Sequence, residues 1–154
     1  TDPRSARRMS AAVTTAATVA ALASMPHDFI PTATVGSVIA DAEENSTLFG
    51  LLVAGETAEL ATSGENGSAL FTSARVIVAE RAGIISKRFV VKAFRRDAIS
   101  AFSIDADTLV TLTLFGGSFG KATLVFDEGF EPMQLSTWLG ETLVPSHAAD
   151  LRTT

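Results

Sequence analysis

Few residues in this chain are of types that do chemistry, and their spacing does not assemble a reactive site. The 154 residues include no cysteine, which excludes disulfides, thiolate metal sites and a cysteine nucleophile. The two histidines, His27 and His147, lie in polar or proline-flanked stretches, so we interpret both as solvated loop residues. Histidines so placed do not support a Ser-His-Asp triad. We therefore predict that the protein is not an enzyme and has no catalytic, cofactor-binding or metal-binding residues.

Two short motifs have the composition of ligand-binding loops but lack the rest of the pattern. The segment 116–120 is rich in glycine, yet no Lys-Ser/Thr pair follows it, so we interpret it as a hairpin turn rather than a phosphate-binding loop. Asp105 and Asp107 form an Asp-x-Asp pair of the kind that contributes to calcium loops. The other ligands of such a loop are missing, which favours a solvated turn.

The uneven distribution of charge gives the one candidate binding surface. The net charge of -5 argues against nucleic-acid binding, which usually needs a basic surplus. Between residues 75 and 97, however, seven basic residues stand against two acidic ones. The candidate residues for an anionic partner are Lys87, Arg88, Lys92, Arg95 and Arg96. The alternative, which we favour, is a set of solvated outward positions that protect a sheet edge from aggregation.

From residue 57 onward, alternation of apolar and polar residues predicts consecutive antiparallel strands joined by tight turns. The alternation is clearest where Val110, Leu112 and Leu114 face inward and Thr111 and Thr113 face outward. The seven candidate strands are 57–63, 69–72, 76–80, 85–94, 99–104, 110–114 and 121–127. Together they predict a mainly β protein, an antiparallel sandwich or partly open barrel.

Helical patterns flank the predicted strands on both sides. At the C-terminal side, Pro132 marks the start of an amphipathic helix whose apolar stripe includes Trp138, which we interpret as a core residue. At the N-terminal side, an Ala-rich helix is predicted within residues 4–25, and a second helix over residues 35–42 with Thr34 as its N-cap. A third short helix is predicted over residues 48–53, capped by Ser46 or Thr47.

These patterns divide the chain into a helical N-terminal extension, 1–45, a β domain, 46–145, and a polar tail, 146–154. The weakly polar run 11–25 is shorter than the ~20 residues of a membrane span, so no transmembrane segment is predicted. Arginines precede this run as they do in a signal peptide, but alanine and threonine replace leucine in it. We therefore predict a cytoplasmic protein.

Residues 47–144 resemble the bacterial pleckstrin-homology (PH-like) domain family. The resemblance rests on five segments: 53–56 (Val-Ala-Gly-Glu), Phe71-Thr72-x-x-Arg75, the turn and basic strand 83–94, Ile99-Ser100-x-Phe102-Ser103, and Leu135-x-x-Trp138-Leu139. It implies a non-enzymatic binding or assembly module whose members form homo-oligomeric rings. Eukaryotic PH domains hold phosphoinositides through cations near the first strand pair. The equivalent loop here, 63–68, has a glutamate and no cation, so that ligand is not expected.

Two functions are consistent with these observations. We favour an assembly module that acts through homo-oligomerisation or binding of another protein, with residues 5–24 docking on a neighbouring subunit. The alternative is peripheral binding of an anionic lipid surface or ligand through the basic strip 87–96. The chain's net charge disfavours this alternative, because it opposes approach to an anionic membrane everywhere except at the strip.

Overall fold

The structure is a computed structural model that describes residues 28–85 and 88–144. These residues form an eight-stranded sheet with short helical segments between and after the strands. The strands are β1 (Ile30–Ile39), β2 (Ala58–Ser63), β3 (Gly67–Thr72), β4 (Arg75–Ala82), β5 (Arg88–Arg95), β6 (Ala101–Ala106), β7 (Val110–Gly116) and β8 (Gly120–Phe126). The α-helices are α1 (Ser46–Phe49) and α2 (Ser136–Leu143), and short 3-10 helices cover Ala42–Glu44, Arg96–Ala98 and Pro132–Leu135.

Strand β1 joins two antiparallel groups of strands into one sheet, in the order β5-β4-β3-β2-β1-β8-β7-β6. Its first part pairs with β8 in parallel, and its last three residues pair with β2 in antiparallel fashion. The change of partner occurs at Gly36, which has a φ of +82°. A Cβ atom there would lie 2.3 Å from the Ser63 carbonyl oxygen, so only glycine allows this crossing.

The helix predicted over residues 35–42 is wrong, because residues 30–39 form β1. Val35, Val38 and Ile39 are β-branched residues, which favour strands. Their spacing of three and four also fits a strand whose two faces are both at least partly buried. Thr34 is therefore a strand residue rather than an N-cap. The Ala-rich helix predicted within residues 4–25 lies outside the described residues, and so does the polar tail, so the predicted division of the chain stays a prediction.

The short helix after β1 also differs from the prediction in its position. Helix α1 begins at Ser46, and Asn45 is its N-cap, with the side-chain oxygen accepting from the Leu48 backbone N–H at 3.3 Å. Leu48 is buried on the outer face of the sheet, where it packs against Ala61, Leu70 and Ile77. This small second core covers the outer face of β2, β3 and β4.

The main core lies on the inner face and extends through both groups of strands. It contains an aromatic series in which Phe71 stacks on Phe126 and Phe126 stacks on Phe130 at 3.9 Å between centroids. The predicted seven strands 57–127 are all present, with β1 as the eighth. The mainly β architecture is confirmed, and it departs from a purely antiparallel arrangement only at the β1–β8 pair.

The predicted C-terminal helix is also confirmed, as the 3-10 helix Pro132–Leu135 followed by α2. Trp138 is buried, and its ring meets Phe71 edge to face at 5.2 Å. The indole N–H donates to the Thr72 carbonyl at 2.9 Å, which fixes α2 against the end of β3.

Candidate interaction surface on the β4–β5 hairpin

The predicted basic residues lie on one long hairpin. Strands β4 and β5 pair without interruption from Arg75 opposite Arg95 to Ala82 opposite Arg88. Strand β5 is at the end of the strand order, so within the described residues its outer edge has no partner strand. We call the end that carries Arg75, Arg95 and Arg96 the hairpin base. The opposite end, comprising Arg81, Ile84, Ile85, Arg88 and Phe89, is the hairpin tip.

At the hairpin base, Arg96 is a structural residue. Its side chain is only 12% exposed and lies over the Trp138 ring at 4.6 Å. The guanidinium donates to the Trp138 carbonyl at 2.7 Å and to Thr142 Oγ1 at 2.6 Å, and it pairs with Glu59 at 3.1 Å. Each nitrogen of the guanidinium therefore has an acceptor, and the contacts hold α2 against the sheet. Arg96 is thus not available to a partner.

Arg75 and Glu56 form a second satisfied pair at the hairpin base. The Glu56 side chain is 2% exposed and accepts from Arg75 Nε at 2.9 Å and from Thr72 Oγ1 at 2.7 Å. The Arg75 hydrogen bond is the main cause that lowers the pKa of Glu56 from 4.5 to about 2. The same bond raises the pKa of Arg75. Sequence analysis quoted both residues within motifs but assigned no role to their pairing, which spans 19 positions.

An open groove of about 730 Å³ lies beside these residues. Its lining includes Arg75, Arg95 and Arg96 together with the carboxylates of Glu56, Asp97 and Glu141. Each arginine pairs with one of the carboxylates lining the groove. Because positive and negative charges balance, the groove does not concentrate the donors that an anion needs.

The remaining basic residues of the predicted strip point in different directions. Arg88 and Lys92 share one face of β5, as alternation predicted, and Lys92 Nζ donates to the Phe29 carbonyl at 3.0 Å. Arg95 lies on the opposite face and pairs with Asp97. Lys87 lies outside the described residues. Of the five candidates, therefore, Arg88 alone is described as exposed without a carboxylate within 4.0 Å among residues 28–85 and 88–144.

The hairpin tip exposes large apolar side chains between its cations. Ile84 and Ile85 are fully exposed, and Phe89 is 62% exposed with the Arg81 guanidinium 5.2 Å from its ring centroid. The chain turns at Gly83, which has a φ of +100°. Sequence analysis placed Ile85 inside a strand and missed this feature. The available signal was the pair of adjacent isoleucines after Gly83, which breaks the alternation of a strand.

Of the two loop motifs, the glycine-rich segment has the turn structure that we predicted, whereas Asp105 lies in a strand and only Asp107 lies in a turn. Residues 116–120 connect β7 to β8 as a tight hairpin, in which Gly116 pairs with Gly120. Asp105 is the fifth residue of β6, and the Asp107 backbone N–H donates to Leu109 across the β6–β7 turn. In the part of the chain that the structure describes, His, Cys, Asp and Glu side chains do not gather in a group of three or more that could hold a metal ion.

Among the described residues, each helix is too short or too polar to cross a membrane. The cytoplasmic location stays a prediction.

Comparison with known proteins identifies the fold. No family model matches the chain, and no curated protein matches it. Two solved structures are similar. A DUF1696 family protein with a pleckstrin-homology domain from Shewanella loihica has a TM-score of 0.56 and 18% identity, covering 70% of this chain and 97% of that one. A pleckstrin homology domain from Shewanella amazonensis has a TM-score of 0.54 and 20% identity, covering 68% of this chain and 100% of that one. The predicted resemblance is thus confirmed at the level of the fold, which is that of bacterial PH-like domains.

Proposed function

We propose that this chain is a non-enzymatic PH-like interaction module that acts by self-association through the edges of its sheet. The observation that carries the proposal is that β5 and β6 are both end strands of one sheet and have opposite charge. Unpaired edge strands offer rows of backbone N–H and C=O groups to another strand. Addition of a strand to such an edge is a common form of protein recognition.

The charges of the two edges favour pairing of β5 with β6 of a second copy. Six of the 12 basic residues lie between residues 81 and 96, where there is no acidic residue. From residue 97 to residue 120 there are three aspartates and no basic residue. Pairing of β5 with another β5 would place like charges together, whereas pairing of β5 with β6 places the cationic edge beside the edge that carries Asp105.

Exposed apolar side chains accompany both edges. Val91 is 43% exposed on the outer face of β5, beside Phe89, and Phe102 is exposed on β6. Since a β5-to-β6 contact joins different surfaces of two identical subunits, repetition of it closes into a ring where the rotation allows. Self-association therefore supplies both a partner for the free edges and cover for these side chains.

Sedimentation velocity of the full chain at micromolar concentration tests this proposal. We expect an assembly larger than the 16.1 kDa monomer. The variant Asp105→Arg should not form this assembly, because it places like charges at the contact. Glu128→Arg makes the same change of charge at an exposed position away from β5 and β6 and is the matched control. A monomeric native protein, or equal behaviour of the two variants, would contradict self-association through these edges.

A further inference from the structure

We infer that Asn66 is a site of spontaneous covalent modification, at which the turn between β2 and β3 loses ammonia and acquires an aspartate or an isoaspartate. Asn66 is exposed in this turn, and Gly67 after it is the first residue of β3. The reaction consumes water and needs no enzyme or cofactor. The inference is independent of self-association, because Asn66 lies on neither end strand of the sheet.

The reaction is an attack of a backbone atom on the preceding side chain. The Gly67 backbone nitrogen gives up its proton and bonds to Asn66 Cγ, the Cγ–Nδ2 bond breaks, and Nδ2 leaves as ammonia. The product is a cyclic succinimide. A water molecule then opens the ring at either of its carbonyls. One product is aspartate with the ordinary backbone, and the other is isoaspartate, whose backbone runs through the side chain.

Freedom of the Asn66 side chain is the first observation. Within residues 28–85 and 88–144, the Asn66 amide makes no hydrogen bond to the protein, so its Cγ can turn towards the next backbone nitrogen. Asn45 is the other asparagine of the chain, and both ends of its amide are held. Its Oδ1 accepts from the Leu48 N–H at 3.3 Å, and its Nδ2 donates to the Thr62 carbonyl at 3.4 Å. The structure therefore distinguishes the two asparagines.

Access to the attacking nitrogen is the second observation. The Arg81 backbone N–H donates to the Asn66 carbonyl at 3.0 Å, so the next pair of the ladder, Gly67 opposite Glu80, is a non-hydrogen-bonded pair. The Gly67 N–H is therefore not held by β4. Glycine also has no side chain that would hinder ring closure. Both reacting groups are thus available in the folded protein.

The two products differ in what they do to the fold. Aspartate keeps the backbone and adds a carboxylate across the ladder from Arg81, which has no carboxylate within 4.0 Å among the described residues. Isoaspartate instead lengthens the turn by one backbone atom. The turn has little room for it, because even a Cβ atom on Gly67 would overlap the Thr34 carbonyl oxygen of β1. We therefore expect isoaspartate to loosen β1 close to Gly36, where this strand changes partner.

Incubation of the folded full chain at mildly alkaline pH, followed by digestion and mass spectrometry, tests the inference. We expect Asn66 to convert on the order of tenfold faster than Asn45, since Gly67 does not hinder ring closure. Hydroxylamine, which cleaves succinimides, should cut the chain between residues 66 and 67. Asn66→Gln keeps an amide but requires a larger ring, and should abolish this cleavage. Equal conversion of the two asparagines, or cleavage that persists in Asn66→Gln, would overturn the inference.

The same incubation in denaturant shows what the fold contributes. In the unfolded chain both asparagines are free of their neighbours. We expect folding to slow Asn66 by less than about tenfold, because exposed turns open at little cost, and to slow Asn45 much more. If folding protects the two asparagines equally, the turn is closed to the reaction and the inference is wrong.

Denaturant unfolding of the products tests the consequence for β1. Freshly purified Asn66→Asp has the new charge on an ordinary backbone and should unfold at the same denaturant concentration as the native protein. The isoaspartate form, separated from the incubated protein by ion exchange, should unfold at a lower concentration. If it is as stable as Asn66→Asp, the turn accommodates the extra backbone atom and the inferred loosening of β1 is wrong.

Discussion

Both ends of the β4–β5 hairpin carry arginines, but the surroundings of these arginines differ between the two ends. At the hairpin base, Arg75 and Arg96 each bind a carboxylate and a backbone carbonyl, and Arg96 also covers the Trp138 ring. At the hairpin tip, Arg81 and Arg88 are exposed beside isoleucines that have no cover. An uninterrupted ladder of eight residue pairs runs from one end to the other.

The difference between the ends shows that a cation's role depends on what the fold brings to it. At the base, Arg96 is bound to Trp138 and Glu59, which are far away in sequence, and stabilises the contact between α2 and the sheet. Arg75 binds Glu56 and the Leu51 carbonyl. At the tip, Arg81 lies over the Phe89 ring, and within residues 28–85 and 88–144 neither Arg81 nor Arg88 has a carboxylate within 4.0 Å. Substitution of Arg75 or Arg96 should therefore lower the free energy of unfolding, whereas substitutions at the tip should leave it almost unchanged.

The largest loss of stability is expected at the base for Trp138→Ala. Removal of this buried ring leaves a cavity beside Phe71 and removes the hydrogen bond to Thr72, at a cost of about 3–5 kcal/mol in the free energy of unfolding. Chemical denaturation monitored by circular dichroism measures it. Met133→Ala, at a residue that is 75% exposed in the preceding 3-10 helix, is the control. A cost below about 1 kcal/mol would mean that the indole does not belong to the core in solution.

The next largest effect is expected for Arg96→Ala. This variant removes the donors that join Trp138, Thr142 and Glu59, and leaves the Trp138 carbonyl without its partner, at a cost of about 3 kcal/mol in the free energy of unfolding. Arg95→Ala is the matched control, because Arg95 is exposed and its pair with Asp97 should contribute less than about 1 kcal/mol. Equal costs for the two neighbours in denaturant unfolding would contradict the distinction.

A smaller effect is expected from protonation of Glu56. Its folded-state pKa lies below its ordinary value of 4.5, so its contribution to stability is complete above about pH 4.5 and is lost as the pH falls towards about 2. Glu56→Gln keeps the shape and an acceptor oxygen but not the charge, and should cost about 2 kcal/mol at neutral pH, because the lost hydrogen bonds are made to a charged group. Between about pH 4.5 and about pH 2, the free energy of unfolding of the variant should also fall less than that of the native protein. A decline identical to that of the native protein, in denaturant unfolding at each pH, would show that other carboxyl groups cause it.

Local sequence patterns were sufficient for most of the fold. Alternation identified the strands that became β2 to β8, and the proline and apolar stripe identified the C-terminal helix and the burial of Trp138. Strand β1 could not be predicted in the same way, because its apolar spacing fits a helix as well as a strand. Its pairing with β8 and β2 decided the outcome, and those strands are remote in sequence.

The candidate surface could be predicted only in part. The excess of positive charge between residues 75 and 97 located the hairpin, but a count of charges does not distinguish Arg96 from Arg88. That distinction depends on contacts such as Arg96 with Trp138, which are 42 positions apart. The exposure of Ile84 and Ile85 likewise follows from where the β4–β5 ladder ends. Alternation alone placed the start of the second strand at residue 85, three residues before β5 begins at Arg88.

The smallest effect on stability is expected at the tip, and it tests the comparison most directly. Ile84→Ala and Ile85→Ala remove side chains that contact little in the folded protein, so each should change the free energy of unfolding by less than about 0.5 kcal/mol. Ile77→Ala, on β4 of the same hairpin, removes a buried side chain that packs against Leu48 and should cost about 2–5 kcal/mol. Because the same substitution is made at the same residue type, the difference between the costs reports the difference in burial of the isoleucines. Denaturant unfolding of the three variants at one low protein concentration measures it. A cost above about 1.5 kcal/mol at either tip position would mean that the tip is covered in solution, and it would then be a packed element like the base rather than a surface free to bind.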